Sequence, residues 1–254
     1  MNYIISLLFH SNNPGIAYFS KVHLEIMLSV VLLGMIIVRF KEDLRNNNKH
    51  QIVGKTLLLT VLIIQQILLY SWYIFTGNFT IRESLPLYPC RISELLCIIL
   101  LIKMNDKYFD LLFYWGFSGA IMALLNPDTS NLGFPNAMFI QFFLGHIGII
   151  LTILFLGIIY DYTPTKKSLL NSYKISMLYI LIVIILNKIT GGNYAYLAVK
   201  PQNTFFDILP EYPYFIPVFV GGMFLLFAVM NYLWLFVKGK LEYDEVSYME
   251  ENEL

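Results

Sequence analysis

The chain reads as an all-α, multi-pass transmembrane helical bundle of about seven spans, its N-terminus outside and its C-terminus cytoplasmic. Three observations predict this. Of 254 residues, 57% are hydrophobic and only 13% charged, with a mean hydropathy of +0.64. A soluble domain is nearer roughly 45–50% apolar and about 25% charged. The apolar residues fall into seven runs near spanning length, and Lys and Arg gather in alternate loops. The same composition excludes a disordered chain, a collagen-like repeat, a coiled coil and a disulfide scaffold. The short alternating strands of a membrane barrel are missing from the pattern.

A spanning helix needs about 20 largely apolar residues, with a range of roughly 17–25. In order, the patch Tyr3–Phe9 is too short to cross and has no basic residue before it, so it reads as an interfacial or re-entrant segment rather than a signal peptide. The runs that follow are Val22–Phe40, Thr56–Phe75, Leu87–Ile102, Phe109–Leu125, Ala137–Tyr160, Tyr173–Ile189 and Phe215–Val237, of which the third and sixth are short. The sixth connection, Lys188–Pro213, is long and mixes Tyr194, Tyr196, Phe205 and Phe206 with Gly191, Gly192 and three prolines. An exposed linker needs no such apolar content, so this segment is expected to fold back over the bundle mouth, as a lid or as a structural plug.

Orientation follows from the basic residues. The first, third and fifth loops and the C-terminal tail hold 11 Lys and Arg, against 4 on the other side. The positive-inside rule then places the N-terminus outside. Tyr70, Trp72 and Tyr73 end the second run, and Tyr212 and Tyr214 open the seventh, as an outer aromatic belt would. Residues 1–240 form one transmembrane domain with a net charge of +6. Residues 241–254 form an acidic cytoplasmic tail with six acids and no base. A basic body suits anionic lipid, and the charge pattern has no nucleic-acid stripe.

Polar groups within hydrocarbon are costly and are functional candidates by default. Here they gather toward the outer side. Cys90, Glu94 and Cys97 share a helix face, and Arg91 is three residues before Glu94 and within pairing reach. Cys90 and Cys97 are too far apart along a helix for a disulfide. A thiolate at Cys90 is a competent acyl nucleophile; the alternative is a small buried thiol. His146, between Gly145 and Gly148, is a general base or a packing histidine bonded to a carbonyl. Glu94 lies closer in depth to His146 than Cys90 does. His23 reads as a site-lining or interfacial residue, and Gln65 and Gln66 as interhelical hydrogen-bond glue. The fourth loop adds Asn126-Pro127-Asp128, and the sixth adds Asn193, Tyr194, Asp207 and Glu211. No Cys/His grouping has zinc spacing.

The stretch Leu85-Pro86-Leu87-Tyr88-Pro89-Cys90, followed by Gly145-His146 and then by Gly192-Asn193-Tyr194-Ala195-Tyr196-Leu197, Lys200-Pro201, Phe206-Asp207-Ile208-Leu209 and Tyr212-Pro213-Tyr214, resembles the YwaF-type integral membrane proteins of bacteria, related to eukaryotic transmembrane protein 164. Ala123–Asp128 and His23 fit as well, and the resemblance runs from about Tyr18 to Asn231. It implies a multi-pass helical fold and, from the eukaryotic side, a cysteine-dependent phospholipid acyltransferase with Cys90 as nucleophile and His146 as its partner. The chain departs from bacterial members, which often have His two residues before the Cys and Asp just after it; here these are Tyr88 and Arg91. The expected function is transfer of an acyl chain between membrane phospholipids through a Cys90 thioester, with no soluble cofactor, in a bacterial plasma membrane. The alternative is a transporter or lipid-binding permease whose substrate path runs past Arg91, Glu94 and His146. Donor, acceptor and oligomeric state are not legible in the residues.

Overall fold

A computed structural model describes residues 3–200 and 205–252, with the backbone alone at 205, 206 and 241–252. Pro201 of the sixth-loop motif and Glu253 and Leu254 of the acidic tail lie outside the described residues. The described chain is helical, with one isolated backbone bridge, Pro14 to Leu132. The helices are α1 (Tyr3–Phe9), α2 (Lys21–Arg39), α3 (Lys41–Asn46), α4 (Asn48–Thr76), α5 (Pro89–Ile102), α6 (Asp106–Leu112), α7 (Ser118–Leu125), α8 (Ala137–Ile159), α9 (Lys166–Thr190) and α10 (Phe215–Asn252). A π turn, Phe113–Phe117, joins α6 to α7 in one continuous rod. Helix starts follow local chemistry. Asn47, Asn105 and Asn136 accept from first-turn N–H groups, and Thr165 with Ser168 forms a capping box. Gly77 and Gly191 end α4 and α9 with φ of 70° and 67°, a left-handed conformation that costs glycine least.

Among the described residues, six helices are long and apolar enough to cross a membrane: Lys21–Arg39, Asn48–Thr76, Asp106–Leu125, Ala137–Ile159, Lys166–Thr190 and Phe215–Lys240. The third expected run is a helix of 14 residues, about 21 Å long against about 30 Å of hydrocarbon. It forms a seventh, short rod. The sixth run is not short, since α9 has 25 residues; Lys166, Lys167 and Lys174 lie within its first turns and mask its length in a hydropathy count. The last helix continues through the backbone of the acidic stretch to Asn252.

Helix α8 is the axis of the bundle, with most of its length buried against α2, α4, α5 and the α6–α7 rod. Glycine on α8 permits this closeness: a β-carbon at Gly148 would lie 2.9 Å from Leu62 of α4. The loops alternate between two faces, as chain order requires. On one face Arg45 and Lys238 both reach Asp161, at 2.8 and 3.1 Å. On the other, Phe9 of α1 stacks on Phe75 at the end of α4, with centroids 4.9 Å apart, and Asn13 bonds to Phe134 O at 2.8 Å. The first face carries the first and fifth loops; the second carries α1 and the second, fourth and sixth loops, and is called the mouth below.

Candidate functional site

Cys90 is the second residue of α5, behind Pro89 at its first position and Tyr88 as its N-cap. Proline brings no N–H, and Ile92 N–H bonds back to Tyr88 O at 3.1 Å. The N–H groups of Cys90 and Arg91 belong to the first turn of α5, where the helix itself supplies no acceptor for them. The thiol therefore sits at a helix N-terminus that offers backbone donors beside it. Cys90 is half-buried and Cys97 fully buried. Tyr179 of α9 donates to Leu87 O at 2.5 Å and holds the approach to Pro89.

Arg91 does not pair with Glu94, as its spacing had allowed. Its guanidinium donates to Glu83 O at 2.6 Å, Leu85 O at 3.1 Å and Tyr73 Oη at 2.6 Å, and lies over the Tyr88 and Tyr73 rings at 4.9 and 5.5 Å. The reason is geometric. At the first turn of α5 a long side chain reaches outward to the carbonyls of the second loop and the Tyr73 hydroxyl, which together hold it better than a carboxylate one turn inward.

Glu94 sits instead in a buried polar cluster spanning three helices. Gln66 Nε2 donates to Glu94 Oε2 at 2.9 Å and to Gln65 Oε1 at 2.7 Å. Gln65 Nε2 donates to Gln141 Oε1 at 2.9 Å, and Gln141 Nε2 bonds to Met138 O at 3.1 Å. Gln65 and Gln66 thus join helices, as glue would. Gly145 makes the room: a β-carbon there would overlap Glu94 Oε1 and lie 3.2 Å from Gln65 Nε2.

His146 follows Gly145 by one position, about 100° around α8. It is buried, and its Nδ1–H donates to Phe142 O at 2.7 Å. A carbonyl only accepts, so Nε2 is the unprotonated nitrogen, the form a general base needs. Among the described residues no hydrogen bond joins His146 to Cys90 or to Glu94. His146 lies one turn outward of Ile150 and two of Leu154, which line an apolar cleft of about 280 Å³ with Met27, Val30 and Gly34 of α2 and Ile121 and Leu124 of α7.

His23 is a strap rather than a site wall. Its Nδ1 accepts from Phe19 N–H at 2.9 Å and its Nε2 donates to Leu124 O at 2.7 Å, tying the start of α2 to the end of α7. Asn126 is the C-cap of α7. Asn193 closes its own loop, accepting from Ala198 and Val199 N–H at 3.0 and 2.9 Å and donating to Val199 O at 2.8 Å. Tyr194 is fully buried and spans the mouth: its hydroxyl donates to Ile81 O at 2.8 Å and accepts from Leu85 N–H at 3.2 Å. Tyr196 donates to Asp128 at 2.9 Å. Loss of solvent and the Asp128 carboxylate hold its phenol well above the usual range, so it remains a donor at any physiological pH. Asp207 lies in an exposed turn where its carbonyl accepts from Lys200, which also pairs with Glu211 at 2.9 Å. The sixth loop over 193–200 thus folds back onto the mouth, as its apolar content required.

Two buried participants escaped the sequence reading. Gln141 lies one turn before Gly145 on the same face of α8, a spacing that would have placed it beside Glu94. Asn187, a lone amide within an apolar run, holds the Tyr194 backbone at both ends, at 2.8 and 3.0 Å. Groups of three or more His, Cys, Asp or Glu able to hold a metal are absent among the described residues.

No curated protein and no solved structure matches the chain. A family model described as the TMEM164 family matches residues 18–231, so this multi-pass membrane protein, with its short α5 helix, its buried Gly145-His146 step and its folded-back sixth loop, belongs to the TMEM164 family.

Proposed function

We propose that the protein is a membrane acyltransferase that moves a fatty acyl chain between phospholipids through a thioester at Cys90, working at the outer leaflet of a bacterial plasma membrane with its N-terminus outside. The observation that carries this reading is the first turn of α5: a free, half-buried thiol at a helix N-terminus, on the mouth side of the bundle. The family resemblance supports it, because it implies Cys90 as the nucleophile and His146 as its partner. In the first half-reaction the sulfur attacks the ester carbonyl of a donor lipid. The thiol proton passes to His146 Nε2, directly or through one water. The Cys90 and Arg91 N–H groups hold the oxyanion. The C–O bond breaks, the lysolipid oxygen leaves with the proton from His146, and the acyl group remains on sulfur. In the second half an acceptor hydroxyl or amine repeats the attack, yields its proton and regenerates the thiol. The chemistry needs no soluble cofactor.

The test is acyl exchange between a labelled phospholipid and a lysophospholipid in reconstituted vesicles. Cys90→Ser should abolish exchange and the hydroxylamine-sensitive acyl adduct on the protein, and His146→Gln should slow exchange by about 10²- to 10⁴-fold. Full exchange by Cys90→Ser would refute the mechanism.

A second reading rests on the Glu94–Gln66–Gln65–Gln141 cluster, an acid among amides within the membrane, which suits the substrate path of a transporter or permease. In that reading Cys90→Ser leaves transport intact and Glu94→Gln does not.

A further inference from the structure

At the mouth, the second and sixth loops and the end of α9 line an open cleft of about 580 Å³, within the usual range for small-ligand sites, about 300–1,000 Å³. Arg82 and Lys188 line it, with Glu83, Tyr88, Gly191 and Tyr212 among the other walls. Both cations are exposed, and neither has an ion-pair or hydrogen-bond partner among the described residues, although Arg82 is held close to the backbone of residue 191. Arg82 is so held: a β-carbon at Gly191 would lie 3.5 Å from its Nε and 3.8 Å from Nη2. Glycine at 191 leaves the face of the guanidinium open, and at φ 67° any other residue would be strained there as well.

We propose that this cleft binds a monoanionic phosphodiester, held between Arg82 and Lys188. Charge decides the class. Two cations and Glu83 leave one net positive charge. The carboxyl end of α9 adds about half a negative charge, which lowers the balance but leaves it positive. A diester with one negative charge matches this balance, whereas a dianionic monoester is opposed by Glu83. A planar guanidinium with free N–H groups is the side chain best suited to two phosphate oxygens. Tyr88, which lines the cleft, precedes Cys90 by two residues, so a lipid held here by its phosphodiester has its ester groups at the α5 end of the mouth. The link to acyl transfer rests on the proposed function; the binding site does not, and it is measured without turnover.

The experiment uses full-length protein in an uncharged maltoside detergent, with Cys90→Ser as a second background that should bind equally. Three probes are titrated calorimetrically: dihexanoyl phosphatidylglycerol below its micelle concentration, glycerophosphoglycerol, and inorganic phosphate. The short-chain lipid is expected to bind, with Arg82→Gln and Lys188→Gln each raising Kd about tenfold or more, the loss of one charge-assisted bond. Lys174→Gln, on the opposite face, should leave Kd unchanged, and Glu83→Gln should tighten binding. Equal binding of glycerophosphoglycerol identifies a free phosphodiester as a sufficient ligand; binding of the lipid alone identifies the headgroup of a membrane lipid. Wild-type binding should also weaken as ionic strength rises from about 0.1 M to about 1 M, where screening shortens from about 10 Å to about 3 Å. Salt-independent binding, an unchanged Kd in the Arg82→Gln/Lys188→Gln protein, no binding of either diester, or inorganic phosphate binding as tightly as the diesters would overturn the proposal. Because the salt measurement uses wild-type protein, misfolding of a variant does not shield it.

Discussion

Replacing Gly145 by alanine tests whether the α5–α8 contact is built around Glu94. A β-carbon at 145 would overlap Glu94 Oε1 and lie 3.1 Å from Glu94 Cδ and 3.2 Å from Gln65 Nε2. The carboxyl has to swing aside, which breaks its 2.9 Å bond to Gln66 and disturbs the 2.9 Å Gln65–Gln141 bond. Overpacking a filled interior costs about 1–3 kcal/mol. Two interhelical bonds at an average of about 0.6 kcal/mol each add about 1 kcal/mol. Alanine's better helix propensity returns roughly 0.8–1 kcal/mol. The net expectation is a destabilisation of about 1–3 kcal/mol, read by SDS unfolding in mixed micelles. Gly119→Ala is the control, since nothing lies within 4 Å of its β-carbon position, and it should be neutral or mildly stabilising. In a Glu94→Ala background the closest obstacle is gone, only the 3.2 Å approach to Gln65 Nε2 remains, and the cost of Gly145→Ala should fall to near neutral. The difference between backgrounds is the coupling of the two positions. If Gly145→Ala costs the same with and without the Glu94 side chain, the packing argument for the cluster fails.

Three further outcomes are expected. A membrane-permeant maleimide should modify the native protein at Cys90 and spare Cys97, whose side chain is fully buried; mass spectrometry of the wild type and Cys90→Ser checks this, and faster labelling of Cys97 would contradict the packing of α5. Tyr194→Phe removes the hydroxyl that bonds to Ile81 O and Leu85 N–H, leaving buried partners unmet at about 1–3 kcal/mol. External protease should then cut 193–199 faster in right-side-out vesicles, and an unchanged digestion rate would mean the hydroxyl does not hold the loop. Reporter fusions at Lys166 and Lys200 should read opposite sides, with Lys166 cytoplasmic; agreement between the two would break the seven-rod topology.

What the residues by themselves determined is the set of rods and their alternation. In hydrocarbon every backbone polar group has to be satisfied within its own helix, so run length and apolarity specify α2, α4, α8 and α10 without knowledge of their neighbours. The same local chemistry made the sixth loop's return legible, because Tyr194 and Leu197 have no reason to stay in water. The partners of the polar side chains were decided only by tertiary packing. Spacing along α5 allowed Arg91 to meet Glu94, yet α4 and the second loop bring Tyr73 Oη and two loop carbonyls nearer. His23 looked like part of the mouth, but the end of α7 presents Leu124 O to it. Gln141 joined Glu94 only because Gly145 lets α8 close on α4 and α5. A sequence states which groups share a face of one helix. Which group on another helix satisfies them depends on crossing geometry and on the absence of a single methyl, and neither is written in the order of residues along one rod.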